Sequence, residues 1–227
     1  MDIRTYFGKL RYPGRTIVAG KSEDGKLLYA YAIMGRSEHS RNRVFRKAGN
    51  IVKTVAYDPS LLSDPHLIIY NAIIRNTSEE IFTNGDQSDS IADGLQEGTG
   101  FSQALESRQY EDDAPAYTPR ISGMFKEGCL YLSILRRTNG TCERSSWTYG
   151  DLIPGTCYTI HTYEDDGDPL PSFQGEPRKL ELNHCQDAET LCSLLYDSLD
   201  ADNRISCYAA TVGEDDYLIN RKGDRNA

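Results

Sequence analysis

The sequence predicts an α+β fold, with antiparallel sheets and helices packed outside them. Three observations carry this. Short apolar or alternating runs recur along most of the chain, several joined by turn-sized gaps. Only two or three stretches have helical spacing. No Pro/Gly/Ser-rich linker divides the 227 residues, so one domain over residues 1–227 is expected, long enough for a sizeable core.

Residues 15–21 and 27–34 read as strands, and SEDG at 22–25 carries the Asp-Gly turn signal of a hairpin. The second strand, LLYAYAIM, is apolar throughout and predicts cover on both faces. Residues 35–47, GRSEHSRNRVFRK, read as a loop with five cations against one acid. In a chain of net charge −9 this is the densest positive run. On its own such a run is a solvated loop, or an anion cradle whose arginine forks match phosphate oxygens.

Residues 51–57, 67–74 and 79–83 read as further strands. Asn84-Gly85 then turns the chain into a long polar stretch, 84–120. Within it Phe101, Ala104, Leu105 and Arg108 fall on one stripe of a short helix over 99–109. For Asn84 and Asp89 the structural roles are turn formation and helix capping. Pro119 biases Thr118 to extended backbone, so Arg120 opens a strand that continues over 121–125. Residues 129–136 pair with it across KEG, and 145–149 and 156–163 extend the sheet. Residues 164–171 are a loop by composition. Asp187 is placed to N-cap a helix with Leu191, Leu194, Leu195 and Leu199 as its buried stripe. Residues 205–212 and 217–219 are final strands, and the tail over 220–227 is expected to fray.

With 38% hydrophobic and 26% charged residues the composition is that of an ordinary globular protein. No apolar run approaches the roughly 18–20 residues of a membrane helix. The N-terminal stretch has no apolar core of a signal peptide, so a cytoplasmic protein is expected, without a membrane partner. The acidic balance argues against nucleic acid, which wants a broad basic face. A mononucleotide needs only a local basic pocket. The six cysteines show neither C-x-x-C spacing nor a zinc pattern, so no structural metal is expected. A homo-oligomer is compatible with all of this.

GRTIVAGK (14–21), NGDQSDSIADG (84–94) and YEDDAPAYTPRI (110–121), in order and at similar spacing, resemble the signature segments of archaeal-type IMP cyclohydrolases. The likeness runs from about Tyr12 to about Glu164. It includes Arg36-Ser37 and Asn42-Arg43, which match an Arg-Ser…Asn-Arg segment with about two extra residues between the pairs. It also includes Tyr70-Asn71 within 64–71 and Thr162-Tyr163-Glu164. His66 stands where the family often has an aromatic and is read as structural. The family frequently has Ser-His where this chain has Asp86-Gln87.

The resemblance implies a four-layer αββα sandwich similar to N-terminal-nucleophile hydrolases. It also implies closure of formamidoimidazole-carboxamide ribonucleotide (FAICAR) to IMP and water. Arg43, Tyr70 and Glu111 are the catalytic candidates by this resemblance. Arg15, Lys21, Arg36, Ser37, Asn42, Asn71, Asn84, Asp89, Thr118, Arg120, Tyr163 and Glu164 are the substrate-binding ones. The reaction needs no redox centre and no obligatory metal, so no cofactor is expected. Asp112 and Asp113 offer an alternative use as Mg²⁺ ligands. Two other functions are weighed. A purine-nucleotide-binding protein without catalysis would keep the basic pocket. Amide hydrolysis by an N-terminal nucleophile would need a freed Cys, Ser or Thr, and residue 2 is Asp.

Overall fold

A computed structural model describes residues 1–61 and 65–222, apart from the side chains of His66 and Leu67. The readings of Asp64 in the 64–71 segment, of the His66 side chain and of the tail beyond 222 lie outside the described residues.

Two antiparallel sheets carry the fold. Strands β1 (Thr16–Lys21), β2 (Leu27–Met34), β3 (Arg43–Ala48), β4 (Ile51–Ala56), β5 (Tyr70–Arg75), β6 (Glu79–Thr83) and β7 (Arg120–Lys126) are followed by six more. These are β8 (Cys129–Thr138), β9 (Thr141–Tyr149), β10 (Thr156–His161), β11 (Arg178–Glu181), β12 (Arg204–Thr211) and β13 (Asp216–Asn220). One sheet has the order β11-β10-β1-β2-β12-β13 and the other β3-β4-β5-β6-β7-β8-β9. The helices are α1 (Ile3–Phe7), α2 (Glu38–Arg41), α3 (Pro65–Ile68), α4 (Gln87–Gln96), α5 (Phe101–Ala104) and α6 (Ala188–Ser198).

The period of two in β2 shows how the layers stack. Tyr29, Tyr31 and Ile33 face a core shared with Phe45, Phe82, Ile121, Phe125 and Leu132 of the second sheet. Leu28, Ala30, Ala32 and Met34 face the opposite way, onto Ile3 and Phe7 of α1 and Leu191 and Leu195 of α6. This is why β2 is apolar throughout. The Tyr29 and Phe82 rings stack 4.3 Å apart across the two sheets. A third cluster packs Ile91 of α4 and Phe101 of α5 on Ile74, Ile81 and Met124. The result is a layered α+β fold of two antiparallel sheets with few helices outside them.

Several elements differ from the sequence reading. The ten-residue α4 begins within the segment over 84–94 and runs on to Gln96, with Ile91 buried, whereas the helix expected over 99–109 shortens to the single turn α5. Four polar side chains in six residues hid the first, and Gly98 and Gly100 limit the second. The basic run over 35–47 is not one loop: α2 interrupts it, and its end forms β3, an edge strand with only Arg43, Val44 and Phe45 buried. The strand expected over 67–74 begins at Tyr70, after the short α3. Helix α1 and β11 were not read at all. The Asp187 cap is as expected: its carboxylate accepts from the Thr190 amide at 2.8 Å.

Candidate active site

One end of the sheet pair gathers the start of β1, the end of β2, the start of β3 and the loop before β7. A cavity of about 290 Å³ opens there, lined by Arg15, Arg36, Arg43, Glu111, Thr118 and Tyr163, with Tyr12, Met34, Ser37, Ser40, Asp113, Ala116 and Leu170.

Arg15 is placed by a laced crossing of two segments. Its amide donates to Thr162 Oγ1 at 3.1 Å, and the Thr162 amide returns a bond to the Arg15 carbonyl at 2.9 Å. Gly14 makes the crossing close enough. Its φ is +76°, and a Cβ there would lie 2.2 Å from Thr162 Oγ1 and 2.6 Å from Tyr163 Cδ2. Glu111 is fixed by its amide, which donates to the Thr118 carbonyl at 2.9 Å. Arg15 Nη2 reaches Glu111 Oε2 at 3.3 Å, a single long contact between two buried side chains.

Arg43 is equally buried, yet it has no carboxylate at ion-pair distance among the described residues. Its Nε and Nη1, and Nε of Arg15, have no hydrogen-bond partner among the described residues. Burial opposes the charge on Arg43, and the neighbouring Arg15 adds repulsion, so its pKa lies below the usual guanidinium value. Both arginines still carry their charge. For Glu111, burial outweighs the attraction of Arg15 and pushes the carboxyl pKa above its ordinary value.

Tyr70 does not line the cavity. It is buried beside the two guanidiniums, and its hydroxyl meets that of Tyr31 at 2.8 Å. Two phenols share one bond here, so one phenolic proton has no acceptor in the protein among the described residues.

The remaining candidates divide. Arg36 and Ser37 stand at the mouth, where Arg36 pairs with Asp166 and lies 5.1 Å over the Tyr12 ring. Arg120 lies within electrostatic reach of Glu111, but Gln87 Oε1 accepts from its Nη1 at 2.7 Å and Asp86 pairs with it at 2.8 Å. Gln87 is fully buried and donates to Asn84 Oδ1 and the Ile121 carbonyl. It therefore works as a clamp.

Like Tyr70 and Arg120, six more candidates do not line the cavity. Lys21 ends β1, five residues beyond Thr16 and so roughly 17 Å along the strand. Asn42 is locked in a two-way clasp with the backbone of Asp58. Asn84 joins the Pro119 carbonyl and the Ile121 amide. Asn71 and Asp89 bind each other at 2.7 Å. Glu164 accepts from the Gln174 amide at 2.6 Å and pairs with Arg178. Apart from Lys21, each already has partners in the scaffold, which accounts for the side chain without a ligand.

The sequence reading missed Tyr12, Tyr31 and Ser40, and it gave Asp113 only an alternative metal role. Both Asp113 oxygens accept from Thr118. A tyrosine inside an otherwise apolar strand was the available signal for Tyr31, because a buried phenol seeks a partner.

A larger cavity, about 540 Å³, lies at the opposite end of the sheets. Its charges close on one another: Arg75 binds Glu80 at 2.8 Å and Asp216 at 2.9 Å. Among the described residues it offers no comparable unpartnered donors.

The decisive comparison is with protein families. A family model described as IMP cyclohydrolase-like protein matches residues 12–216. The chain belongs to the IMP cyclohydrolase-like family. The match spans every residue that lines the cavity. Among relatives of this family, the IMP cyclohydrolase of Methanopyrus kandleri is 30% identical over 181 residues, which cover 72% of this chain and 89% of the relative. That of Methanococcus aeolicus is 25% identical, covering 90% and 97%. That of Methanocaldococcus jannaschii is 24% identical, covering 93% and 99%.

Beside Tyr163, at the edge of this cavity, His161 is wholly buried. Its Nδ1 lies 2.6 Å from the Tyr163 carbonyl, which only accepts, so Nδ1 carries the proton and Nε2 accepts from the Tyr6 hydroxyl at 2.8 Å. Burial lowers its pKa from 6.5 to about 4. The unfolded chain therefore takes up this proton first as the pH falls. The stability tied to neutral His161 is complete above pH 6.5 and is lost toward pH 4, by up to about 3 kcal/mol. Urea titrations across this range should show a steeper loss in the native protein than in His161→Gln; parallel curves would remove His161 from the account.

Proposed function

We propose that the chain closes FAICAR to IMP and water. The observation that carries this reading is the buried pair Arg15 and Arg43, with three unpartnered N–H groups against one carboxylate. A buried donor without a partner costs about 1–3 kcal/mol, and more beside a charge. An oxygen-rich ligand would satisfy all three.

In the reaction the carboxamide nitrogen attacks the formyl carbon of the same molecule. A carbon–nitrogen bond forms and the formyl oxygen becomes a hydroxyl. The carbon–oxygen bond then breaks. The carboxamide nitrogen gives up one proton and the formamido nitrogen another, and both leave with the oxygen as water. Glu111 accepts the carboxamide proton and returns a proton to the departing oxygen. Arg43 faces that oxygen as negative charge grows on it, and the burial of its guanidinium strengthens the interaction. From behind the cavity wall, next to Arg43, the Tyr31–Tyr70 pair lends its spare phenolic proton to the formyl oxygen as the hydroxyl forms, and the formamido proton replaces it. Arg36 and Ser37, at the exposed mouth, take the phosphate. Because the attack is intramolecular, orientation alone supplies much of the acceleration; effective molarities of ~10⁵–10⁸ M are reached in such cases. The chemistry calls for no redox step and no metal.

The rest of the proposal is architectural. The helices on the outer faces make the chain a four-layer αββα sandwich, akin to N-terminal-nucleophile hydrolases in arrangement. It is one domain over residues 1–227, acting in the cytoplasm on a free nucleotide rather than on nucleic acid. No helix among the described residues is long and apolar enough to cross a membrane.

A pH–rate profile tests the role of Glu111. A base must be ionised, so kcat falls as the pH drops through its folded pKa. Burial has moved that pKa above 4.5, so the acidic limb should stand at higher pH than for an ordinary glutamate and be absent in Glu111→Gln. An unchanged limb in the variant would assign the titration to another group.

A further inference from the structure

Asp113, Thr118 and Tyr163 form a chain of hydrogen bonds along the cavity wall. The Asp113 carboxylate accepts twice from Thr118: from the backbone amide at 2.6 Å and from the hydroxyl at 2.5 Å. The Thr118 hydroxyl lies 2.6 Å from the Tyr163 hydroxyl. The polarity of this chain follows from proton counting. A carboxylate has nothing to donate, so the single Thr118 hydroxyl proton goes to Asp113. Thr118 Oγ1 must then accept, and Tyr163 must donate to it. The Tyr163 proton is thereby committed to the protein. Its oxygen keeps lone pairs and makes no other hydrogen bond among the described residues.

We propose that Asp113 and Thr118 set the polarity of the Tyr163 hydroxyl, so that the cavity presents an acceptor-only oxygen to a ribose hydroxyl of the bound nucleotide. This rests on the cyclohydrolase reading and adds a sugar subsite to it. The placement of Tyr163 selects the sugar. On one side it is within electrostatic reach of Arg15, next to Glu111, where the two reacting groups must meet. On the other its ring stacks on Tyr12 at 5.9 Å and 19°, and Arg36 covers Tyr12. A ligand with its base at Glu111 and its phosphate at Arg36 carries its sugar past Tyr163. Asp113 and Thr118 are positioning residues, acting only through Tyr163.

The polarity gives a test that a merely structural role would not pass. Fluorine accepts weakly and never donates. IMP and its 2′-deoxy-2′-fluoro and 3′-deoxy-3′-fluoro analogues are titrated calorimetrically against the full chain. The native protein should bind IMP at least tenfold more tightly than one of the two analogues, about 1.4 kcal/mol at room temperature. Tyr163→Phe should bring that ratio near one. Asp113→Asn keeps an oxygen for the Thr118 amide but turns a donor on Thr118 Oγ1. The chain then reverses, the Tyr163 proton faces the cavity, and the ratio should fall to within about threefold. Thr118→Ser retains the relay and should keep the native ratio, while Thr118→Val should lose it. Equal native binding of IMP and both analogues would overturn the proposal, as would an Asp113→Asn protein with the native ratio. If IMP itself does not bind the native chain, the cyclohydrolase reading fails and this subsite falls with it.

Discussion

Glu111→Gln lowers the turnover of FAICAR by about 10²–10⁴-fold, the usual contribution of a positioned acid–base group. The change keeps the shape of the side chain and its capacity to accept from Arg15 Nη2. It removes the ability to take and return a proton. Substrate affinity should therefore move little, and kcat and kcat/KM should fall together, as expected when an interaction made only in the transition state is lost. Glu111 is 3% exposed, so bulk water has poor access to replace it. The measurement is steady-state kinetics on variant and native protein at one pH on the plateau. A variant with native kcat would dismiss Glu111 as the proton carrier.

Arg43→Ala lowers kcat/KM by about 10²–10³-fold, the effect of removing one preorganised donor from a growing oxyanion. Here kcat and KM should both suffer, because the guanidinium faces an oxygen present before and during the reaction. Stability should behave differently. Arg43 is buried without a carboxylate partner among the described residues, close to the charge of Arg15. Removing it relieves that repulsion and opens space continuous with the existing cavity, where water can enter. The unliganded variant should melt no lower than the native protein, while the stabilisation conferred by IMP shrinks. A variant that melts several degrees lower would mean that Arg43 serves the fold rather than the ligand.

The fold was legible where burial imposes a clear period. Strand β2, apolar on both faces, announced its two coverings, and the Asp-Gly turn at 24–25 and the KEG turn fixed two hairpins. Asp187 announced α6 through its cap. Helix α4 was hidden because its buried side includes Gln87 and Ser88, polar groups satisfied by tertiary bonds that no periodicity shows. Strand β3 was hidden because half its side chains face solvent and four of the first five residues of the run before it are polar. The site was legible in its chemistry and less so in its membership. Arg15, Arg43, Glu111, Thr118 and Tyr163, candidates by the resemblance, line one cavity. Asn42, Asn71, Asn84 and Asp89 carry the same polar signal in sequence, but their partners are backbone groups, the Gln87 side chain or each other. Sequence alone cannot separate a polar side chain aimed at a ligand from one that closes a loop, because the difference lies in partners brought from distant strands. Gln87 is the clearest instance: by resemblance it stands in for a histidine, and in the structure it clamps Arg120.

The most direct measurement is IMP formation from FAICAR by the purified chain in excess EDTA. The account predicts conversion with release of one water per IMP and at a rate the chelator leaves unchanged. A chain that binds IMP, shown by a raised melting temperature, yet forms none from FAICAR would contradict it and leave a nucleotide-binding protein in place of an enzyme.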